Sequence, residues 1–322
     1  MALGAQLRRL LAPRPAGVSM QIATDRVTAV ALGRGAREVS AVSTVQLPDG
    51  ALIPAANALN LGDRAAVEAA VGQALRQLPG AHGRVALVVP DSAAKVSLTS
   101  FEQIPSRSAD LEQLVRWQSR KTAPFRVEDA QVAFSPGRSL EGGGREYVGS
   151  LMRRDIVEEY ESVCTAAGAH AGVVDLASFS LVNGVLAGRR MVEGDWLLVH
   201  VAHGYSTIAV VRHGQLILFR NRPSEGDGNL ADLVHQTTMY HEDRLGGTGF
   251  SRALLAVSLA ETSVEQAGIL RAMLESRLGT TVEGIGSELS LPGAGGEGVL
   301  PDLVAAPVGL LLRERSSAET AA

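Results

Sequence analysis

The sequence predicts an α/β protein of two lobes, each of which begins with three β-strands connected by short turns and continues with helices and further strands. The 322 residues are more than one simple domain needs and are sufficient for two. Hydrophobic residues make up 46% of the chain and charged residues 20%, enough for packed cores. The three-strand pattern occurs twice, about 180 residues apart, and such an internal repeat indicates a duplicated architecture.

The first lobe is expected to begin with strands at 18–23, 27–32 and 38–47, because these runs are rich in β-branched residues and are separated by turns. Apolar residues at helical spacing then predict a helix at 62–78. The continuous apolar run at 84–90 is typical of a strand covered on both faces. The remaining elements predicted for this lobe are strands at 95–101, 130–135, 146–152 and 171–176 and helices at 108–120, 154–167 and 179–186.

The second lobe repeats the opening of the first. Its predicted meander comprises strands at 196–201, 207–212 and 215–220, of which the last two are joined by a His213-Gly214 turn. The elements expected after it are helices at 229–245 and 264–278, a strand at 253–257, and a last helix around 303–312.

We therefore divide the chain into an N-terminal arm (1–17), a first lobe (18–190) with an inserted subdomain at about 95–152, a shorter second lobe (191–315) and a disordered tail (316–322). The arm contains leucines and the Arg8-Arg9 pair, and Pro13 and Pro15 end its helical pattern. Two interpretations stay open, a frayed arm and a short basic segment that contacts a membrane or a partner.

Several classes of function are disfavoured by composition. The net charge of −4 gives no general attraction to nucleic acid. The single cysteine, Cys164, excludes an intrachain disulfide and a cysteine-based zinc site. No apolar run reaches the roughly 18 residues of a membrane-spanning helix, so a soluble chain is expected. His200 and His203 are three residues apart at a strand end, point to opposite faces and do not predict a metal site.

Two lobes that each open with a β-meander are typical of the actin-like fold shared by actin, Hsp70 and sugar kinases. In that fold the turn between the first two strands of each lobe presents backbone N–H groups to nucleotide phosphates. An Asp that ends the first strand lies on the Mg²⁺ side, and glycine permits close approach of the chain.

Five passages, in this order along the chain, resemble the PilM family of type IV pilus assembly proteins, which is actin-like and related to the cell-division protein FtsA. The passages are 86–92 (ALVVPDS), 123–125 (APF) with Glu128 and Asp129 after it, 166–175 from AAG to VVD, 197–220 ending in Phe219-Arg220, and 310–313 (LLLR). The resemblance covers most of the chain and implies the actin-like fold.

The chain departs from the family at the nucleotide site. The first hairpin of the family reads DIGSSSVK, whereas residues 21–28 here read QIATDRVT. Gln21 and His200 replace the two Asp residues and cannot supply the anionic oxygen that Mg²⁺ prefers, and Ala23 and Ala202 replace glycines. A later glycine pair appears as residues 256–258 (AVS), and a helical insertion before 229 is mostly missing.

These departures predict a degenerate site with no cofactor and no hydrolysis, although weak ATP binding by the remaining polar groups stays open. The resemblance places the degenerate site at Gln21, Ala23, Thr24, Asp25, His200, Ala202, Gly204, Ser206 and Thr207.

The resemblance also implies a partner. In the PilM family a groove beside the inserted subdomain accepts the cytoplasmic N-terminal segment of PilN, a bitopic inner-membrane protein. The candidate contact residues here are Leu114, Trp117, Arg120 and Phe125, since Trp and Arg often dominate interface energies. The alternative is that Trp117 and Phe125 belong to the core.

We therefore expect a non-enzymatic scaffold in the cytoplasm, at the inner face of the inner membrane. One alternative is an active actin-like ATPase that polymerises or switches with ATP. Another is a sugar- or acetate-kinase-type phosphotransferase, although no motif marks the catalytic Asp that such an enzyme needs. The sequence leaves open homo-oligomer formation and whether the machine is a pilus, a secretion system or a DNA-uptake apparatus.

Overall fold

The computed structural model describes residues 15–33, 38–78, 83–188, 193–224, 230–259, 264–288 and 301–320. Its strands are β1 (Val18–Ile22), β2 (Arg26–Leu32), β3 (Val39–Gln46), β4 (Gly83–Val89), β5 (Lys95–Phe101), β6 (Ala130–Ser139), β7 (Arg145–Arg153), β8 (Ala169–Leu176), β9 (Asp195–Ala202), β10 (Tyr205–Arg212), β11 (Gln215–Pro223), β12 (Arg252–Ser258) and β13 (Val282–Gly284). Its helices are α1 (Arg64–Arg76), α2 (Ser108–Ser119), α3 (Arg154–Ala166), α4 (Ala177–Ala187), α5 (Leu230–Leu245), α6 (Val264–Leu278), α7 (Ile285–Glu288) and α8 (Pro301–Thr320).

Two five-stranded sheets have the same topology. The order is β3-β2-β1-β4-β8 in the first sheet and β11-β10-β9-β12-β13 in the second. In each, the first three strands pair antiparallel as a meander, and the next two are added in parallel. This equivalence confirms the predicted two-lobed α/β fold with a duplicated meander.

A third sheet, which we call the small sheet, has three antiparallel strands in the order β5-β7-β6. It occupies the range in which we placed an inserted subdomain. Helix α2 covers one face of it, where Leu111 and Val115 pack against Phe101 and Tyr147.

The first sheet is covered on its outer face by α1 and α3. Asp63 caps α1 by accepting a hydrogen bond from the amide of Ala66 at 3.0 Å, which satisfies one of the free N–H groups of the first turn. The buried residues of α1 recur at helical spacing, as the sequence pattern predicts, and are Val67, Ala70, Val71, Ala74 and Leu75.

Helices α4 and α8 pack with both five-stranded sheets in one apolar cluster. This cluster contains Val88 of the first sheet, Leu254 of the second, Leu181 of α4 and Leu310 of α8. The two helices approach closely at Gly309, where an added Cβ would lie 2.0 Å from the carbonyl oxygen of Ser180. The last helix therefore does not belong to the second lobe alone, as the predicted domain division had it.

The structure corrects the predicted organisation at both ends. Helix α8 extends to Thr320, so the prediction of disorder is wrong for 316–320, and residues 321–322 lie outside the described ranges. Within the predicted arm, Ala16 is buried in the core and Gly17 accepts a backbone hydrogen bond from Leu32, while residues 1–14 are not described. Strand β13 and helix α7 were not predicted. No helix within the described residues is long and apolar enough to cross a bilayer.

Candidate functional site

The first hairpin turns of the two five-stranded sheets touch each other. In the first turn the amide of Ala23 donates to the carbonyl of Arg26 at 2.8 Å. In the second, Gly204 has a φ of +87°, a left-handed conformation that glycine adopts without strain. The hydroxyl of Thr24 donates to the carbonyl oxygen of His203 at 3.0 Å, so the turns expected to face nucleotide phosphates are bonded to one another.

Arg26 crosses from the first lobe into the second. Only 1% of its side chain is exposed. Its Nη1 atom lies 2.8 Å from both carboxylate oxygens of Asp25, and its two terminal nitrogens each lie 3.2 Å from the carbonyl oxygen of Ser258. The buried cation thus has a carboxylate partner and an acceptor at the end of β12.

Helix α8 contributes a second side chain, Asp302, that bonds to the same end of β12. The carboxylate of Asp302 accepts from the amides of Val257 at 2.9 Å and Gly286 at 3.2 Å. Burial raises the pKa of Asp302, and these two amides partly oppose the shift. Val257 and Ser258, which the resemblance places at a glycine pair of the family, are therefore bonded to the chain's own side chains.

A buried carboxylate connects the lobes beneath these turns. Asp91 follows β4 and is fully buried. It accepts from the amide of Ser178 at 2.9 Å, from the Ser178 hydroxyl, and from the Thr207 hydroxyl at 2.7 Å. Burial alone would raise the pKa of Asp91, but His200 and the Ser178 bonds favour the charged form and together hold its pKa below the usual value.

His200 continues this network through both ring nitrogens. The Ser178 hydroxyl gives its single proton to Asp91, so it must accept from Nδ1–H of His200, 2.9 Å away. The Nε2 atom lies 3.2 Å from the Ser258 hydroxyl, so the ring of His200 joins Ser178 of α4 to the end of β12.

The network ends on the other side of Asp91. Thr207 accepts from the side-chain amide of Asn221 at 2.9 Å, and Asn221 in turn accepts from the Ser92 hydroxyl at 3.0 Å. Since Asp91, Ser92 and Ser178 belong to the first lobe and His200, Thr207, Asn221 and Ser258 belong to the second, the chain of hydrogen bonds fastens the lobes together.

The nine residues of the predicted nucleotide site lie at the ends of β1, β9 and β10 and in the two turns. The structure brings Thr24 to the opposite turn and places His200 and Thr207 in the Asp91 network, while Gln21 and Ala202 are buried. Sequence reasoning missed Arg26, Asp91, Ser178, Ser258 and Asp302. For Asp91 there was a signal in the sequence, because a charged residue directly follows the continuous apolar run at 84–90. The described residues hold no group of three or more His, Cys, Asp and Glu side chains that could bind a metal.

A cavity of about 780 Å³ opens on the other face of the small sheet, and we call it the groove. Its walls come from β6, β7, α3, α4, β8 and the turn between β10 and β11, with Arg313 of α8. Side chains alternate across a strand, so Val148 and Ser150 of β7 face the groove while Tyr147 and Leu151 pack on the opposite face.

Strand β6 forms an edge of the groove. It is the last strand of the small sheet and, among the described strands, pairs with β7 alone. Its residues Gln131, Ala133 and Ser135 are exposed and line the groove. Pro136 and a register irregularity end the regular part of the strand. An edge strand leaves half of its backbone N–H and C=O groups without a partner in the sheet.

The floor of the groove contains an ion pair between Asp175 and Arg313. Burial raises the pKa of Asp175, and the Arg313 guanidinium partly opposes this shift. The pair ties the end of β8 to helix α8, which also packs between the lobes.

The four predicted partner residues lie elsewhere. Trp117 is 58% exposed, so its side chain is not part of the core, and Arg120 is exposed and pairs with Glu128. Leu114 and Phe125 are half-buried in apolar clusters of the small sheet. Among the residues that the structure describes around the groove, none of the four is included. They stand on the side of the small sheet that α2 covers.

Comparisons with solved structures support the fold. The chain is similar to a structure of the PilM-PilN type IV pilus biogenesis complex, with a TM-score of 0.78, 15% identity, and coverage of 94% of this chain and 99% of that one. It is also similar to a protein of unknown function with an actin-like ATPase fold from Bacteroides thetaiotaomicron, with a TM-score of 0.51, 12% identity, and coverage of 89% and 93%. The fold is therefore actin-like.

Comparison with family models gives the identity of the family. No curated protein sequence matches the chain significantly. The model described as type IV pilus assembly protein PilM matches residues 19–244, which is more than half of the chain and includes both hairpins and the small sheet. The chain therefore belongs to the PilM family of type IV pilus assembly proteins.

Proposed function

We propose that this protein is a cytoplasmic, non-enzymatic scaffold of a type IV pilus or related secretion machine. Its groove would bind the cytoplasmic segment of a PilN-like inner-membrane protein and so hold the scaffold at the membrane. Membership of the PilM family supports this proposal, as does the similarity to a structure of a PilM-PilN complex.

The main structural support for this proposal is the open groove along the free edge of β6. Residues 131–135 present about 16 Å of edge, which an extended segment of about five residues can follow as an added strand. Main-chain hydrogen bonds to an edge strand supply affinity, and alternate side chains enter pockets that supply specificity. The groove offers such pockets between α3 and α4, lined by Val157, Phe179 and Val182.

The interlobe cleft supports a role without nucleotide chemistry. Arg26, Asp302 and Asp91 are already bonded to groups of the chain itself. A phosphate would have to break these contacts, and neither Gln21 nor His200 offers a carboxylate for Mg²⁺. The lobes would thus be held in one arrangement by internal bonds, which suits a scaffold.

The proposal is tested by identifying and titrating the partner. Pull-down from membranes followed by mass spectrometry identifies a bitopic partner, and calorimetry then measures binding of its cytoplasmic segment as a synthetic peptide. We expect Ala133→Trp, which fills the groove beside β6, to weaken binding at least tenfold.

Two control variants separate the groove from other surfaces. Ser100→Trp places the same bulk at an exposed position of β5, the other edge of the small sheet. Trp117→Ala removes the exposed side chain of α2. Both should leave the affinity unchanged. Binding that survives Ala133→Trp but is lost in Trp117→Ala would move the site to the α2 surface and overturn the groove proposal.

A further inference from the structure

Helix α3 lines the groove with three charged side chains. Arg154, Glu158 and Glu161 all border the cavity together with Val157. Their positions i, i+4 and i+7, with Val157 at i+3, lie on one face of a helix. Glu158 is exposed and Glu161 half-buried, so both carboxylates are accessible from the groove.

These carboxylates are left available by the rest of the groove. Asp175 and Arg313 neutralise each other on the floor. Within the described ranges, neither the Glu158 nor the Glu161 side chain makes an ion pair or a hydrogen bond. Setting the bonded pair aside, the wall has two negative charges and the one positive charge of Arg154, an excess of one negative charge.

The apolar part of the same wall favours a particular kind of cation. Val157 lies between the charged residues and is half-buried, and Met152 borders the groove from β7. A lysine or arginine can lay its methylene stem along such a surface while its charged end reaches a carboxylate. Phosphates of nucleic acid or of anionic lipids would instead be repelled by this wall.

We propose that Glu158 and Glu161 make the groove selective for an extended segment that carries a lysine or arginine side chain among apolar residues. The inference rests on the proposed function of the groove and adds the chemical class of its occupant. The two carboxylates determine specificity, while the β6 edge and the apolar pockets bind the segment irrespective of its charge.

The experiment uses the full chain and the N-acetylated cytoplasmic segment of the bitopic partner in two forms, with its Lys and Arg residues intact or replaced by norleucine. Acetylation removes the terminal amine as a second source of positive charge. We expect the double variant Glu158→Gln/Glu161→Gln to bind the intact peptide about tenfold more weakly, which corresponds to about 1.4 kcal/mol. Affinity for the norleucine peptide should not change.

The matched control is Glu112→Gln/Glu128→Gln, which removes the same charge from the α2 side of the small sheet, where both carboxylates pair with arginines. It should bind both peptides as the wild type does. An equal loss for both peptides in Glu158→Gln/Glu161→Gln, no loss for either, or a partner segment without Lys and Arg would overturn the inference. If Ala133→Trp abolishes binding while the two glutamates have no effect, the groove proposal stands and only its charge selectivity fails.

Discussion

Both terminal nitrogens of the Arg26 guanidinium lie 3.2 Å from the carbonyl oxygen of Ser258. Arg26 begins β2 in the first five-stranded sheet and Ser258 ends β12 in the second, so this contact joins the lobes at the cleft. The adjacent Asp25 carboxylate compensates the buried charge. A cation placed like this is part of the internal structure rather than a free ligand for phosphate.

Removal of the Arg26 guanidinium should destabilise the contact between the lobes. We expect Arg26→Ala to lower the free energy of unfolding by about 3 kcal/mol, because it breaks a buried charge pair and leaves the Ser258 carbonyl without its donor. Urea denaturation followed by circular dichroism measures the change. Arg64→Ala is the control, since that arginine is half-exposed and pairs with Glu68 on the same helix. It should cost no more than about 1 kcal/mol. Equal losses in both variants would contradict a special role for Arg26.

Nucleotide binding provides a second, independent prediction. We expect no micromolar binding and no turnover when the wild-type protein is titrated with labelled ATP and Mg²⁺. The physical reason is that Gln21 and His200 supply no anionic oxygen, while the Thr24 hydroxyl is bonded to the opposite turn. A thermal shift assay adds a check, because a ligand that binds only the folded state raises its melting temperature. Micromolar affinity together with measurable hydrolysis would favour the alternative of an active ATPase.

The sequence predicted the repeated meander well, because local pattern determines it. Both faces of β1 and β2 are buried, and runs of apolar and β-branched residues are typical of such strands. The predicted strand at 18–23 is observed as Val18–Ile22, and that at 215–220 as Gln215–Pro223. The first strand ends one residue earlier than predicted, and the second continues three residues further because 221–223 pair with the beginning of β10.

The contacts that define the cleft could not be predicted from local pattern. Arg26 and Ser258 are 232 residues apart, and Asp91 and Thr207 are 116 apart. The position of the groove relative to α2 could not be predicted either. Alternation along β6 and β7 shows that the small sheet has two different faces, but not which of them α2 covers. The predicted partner residues lie on the covered side, and their role in partner binding stays a prediction.

Asp91 should make stability depend on pH. Its pKa is lowered in the folded state relative to about 3.9 in an unfolded chain, so its contribution is present above pH 4 and is lost as the pH falls through the folded value. We expect Asp91→Asn to destabilise the protein at pH 7 by about 2 kcal/mol, since an amide presents a donor to the Ser178 hydroxyl. The difference between variant and wild type should shrink as the pH falls below 4. Asp49→Asn, at an exposed turn, serves as control and should change the free energy of unfolding at pH 7 by no more than about 0.5 kcal/mol.

Two glycines in helix interiors should respond oppositely to alanine. At Gly309 of α8 a Cβ would lie 2.0 Å from the carbonyl oxygen of Ser180 and 3.3 Å from Gly184 of α4, and neither helix backbone can yield as a flexible side chain would. We therefore expect Gly309→Ala to reduce the free energy of unfolding by about 3 kcal/mol, as overpacking does.

At Gly268 of α6 nothing lies within 4 Å of the added carbon, so Gly268→Ala should gain about 0.5–1 kcal/mol from helix propensity alone. Chemical denaturation of the two variants measures both changes under the same conditions. If Gly309→Ala were as stable as the wild type, helices α4 and α8 could not be packed at this separation. The shared core that joins the two five-stranded sheets would then have to be arranged differently, because both helices contribute to it throughout their apolar length.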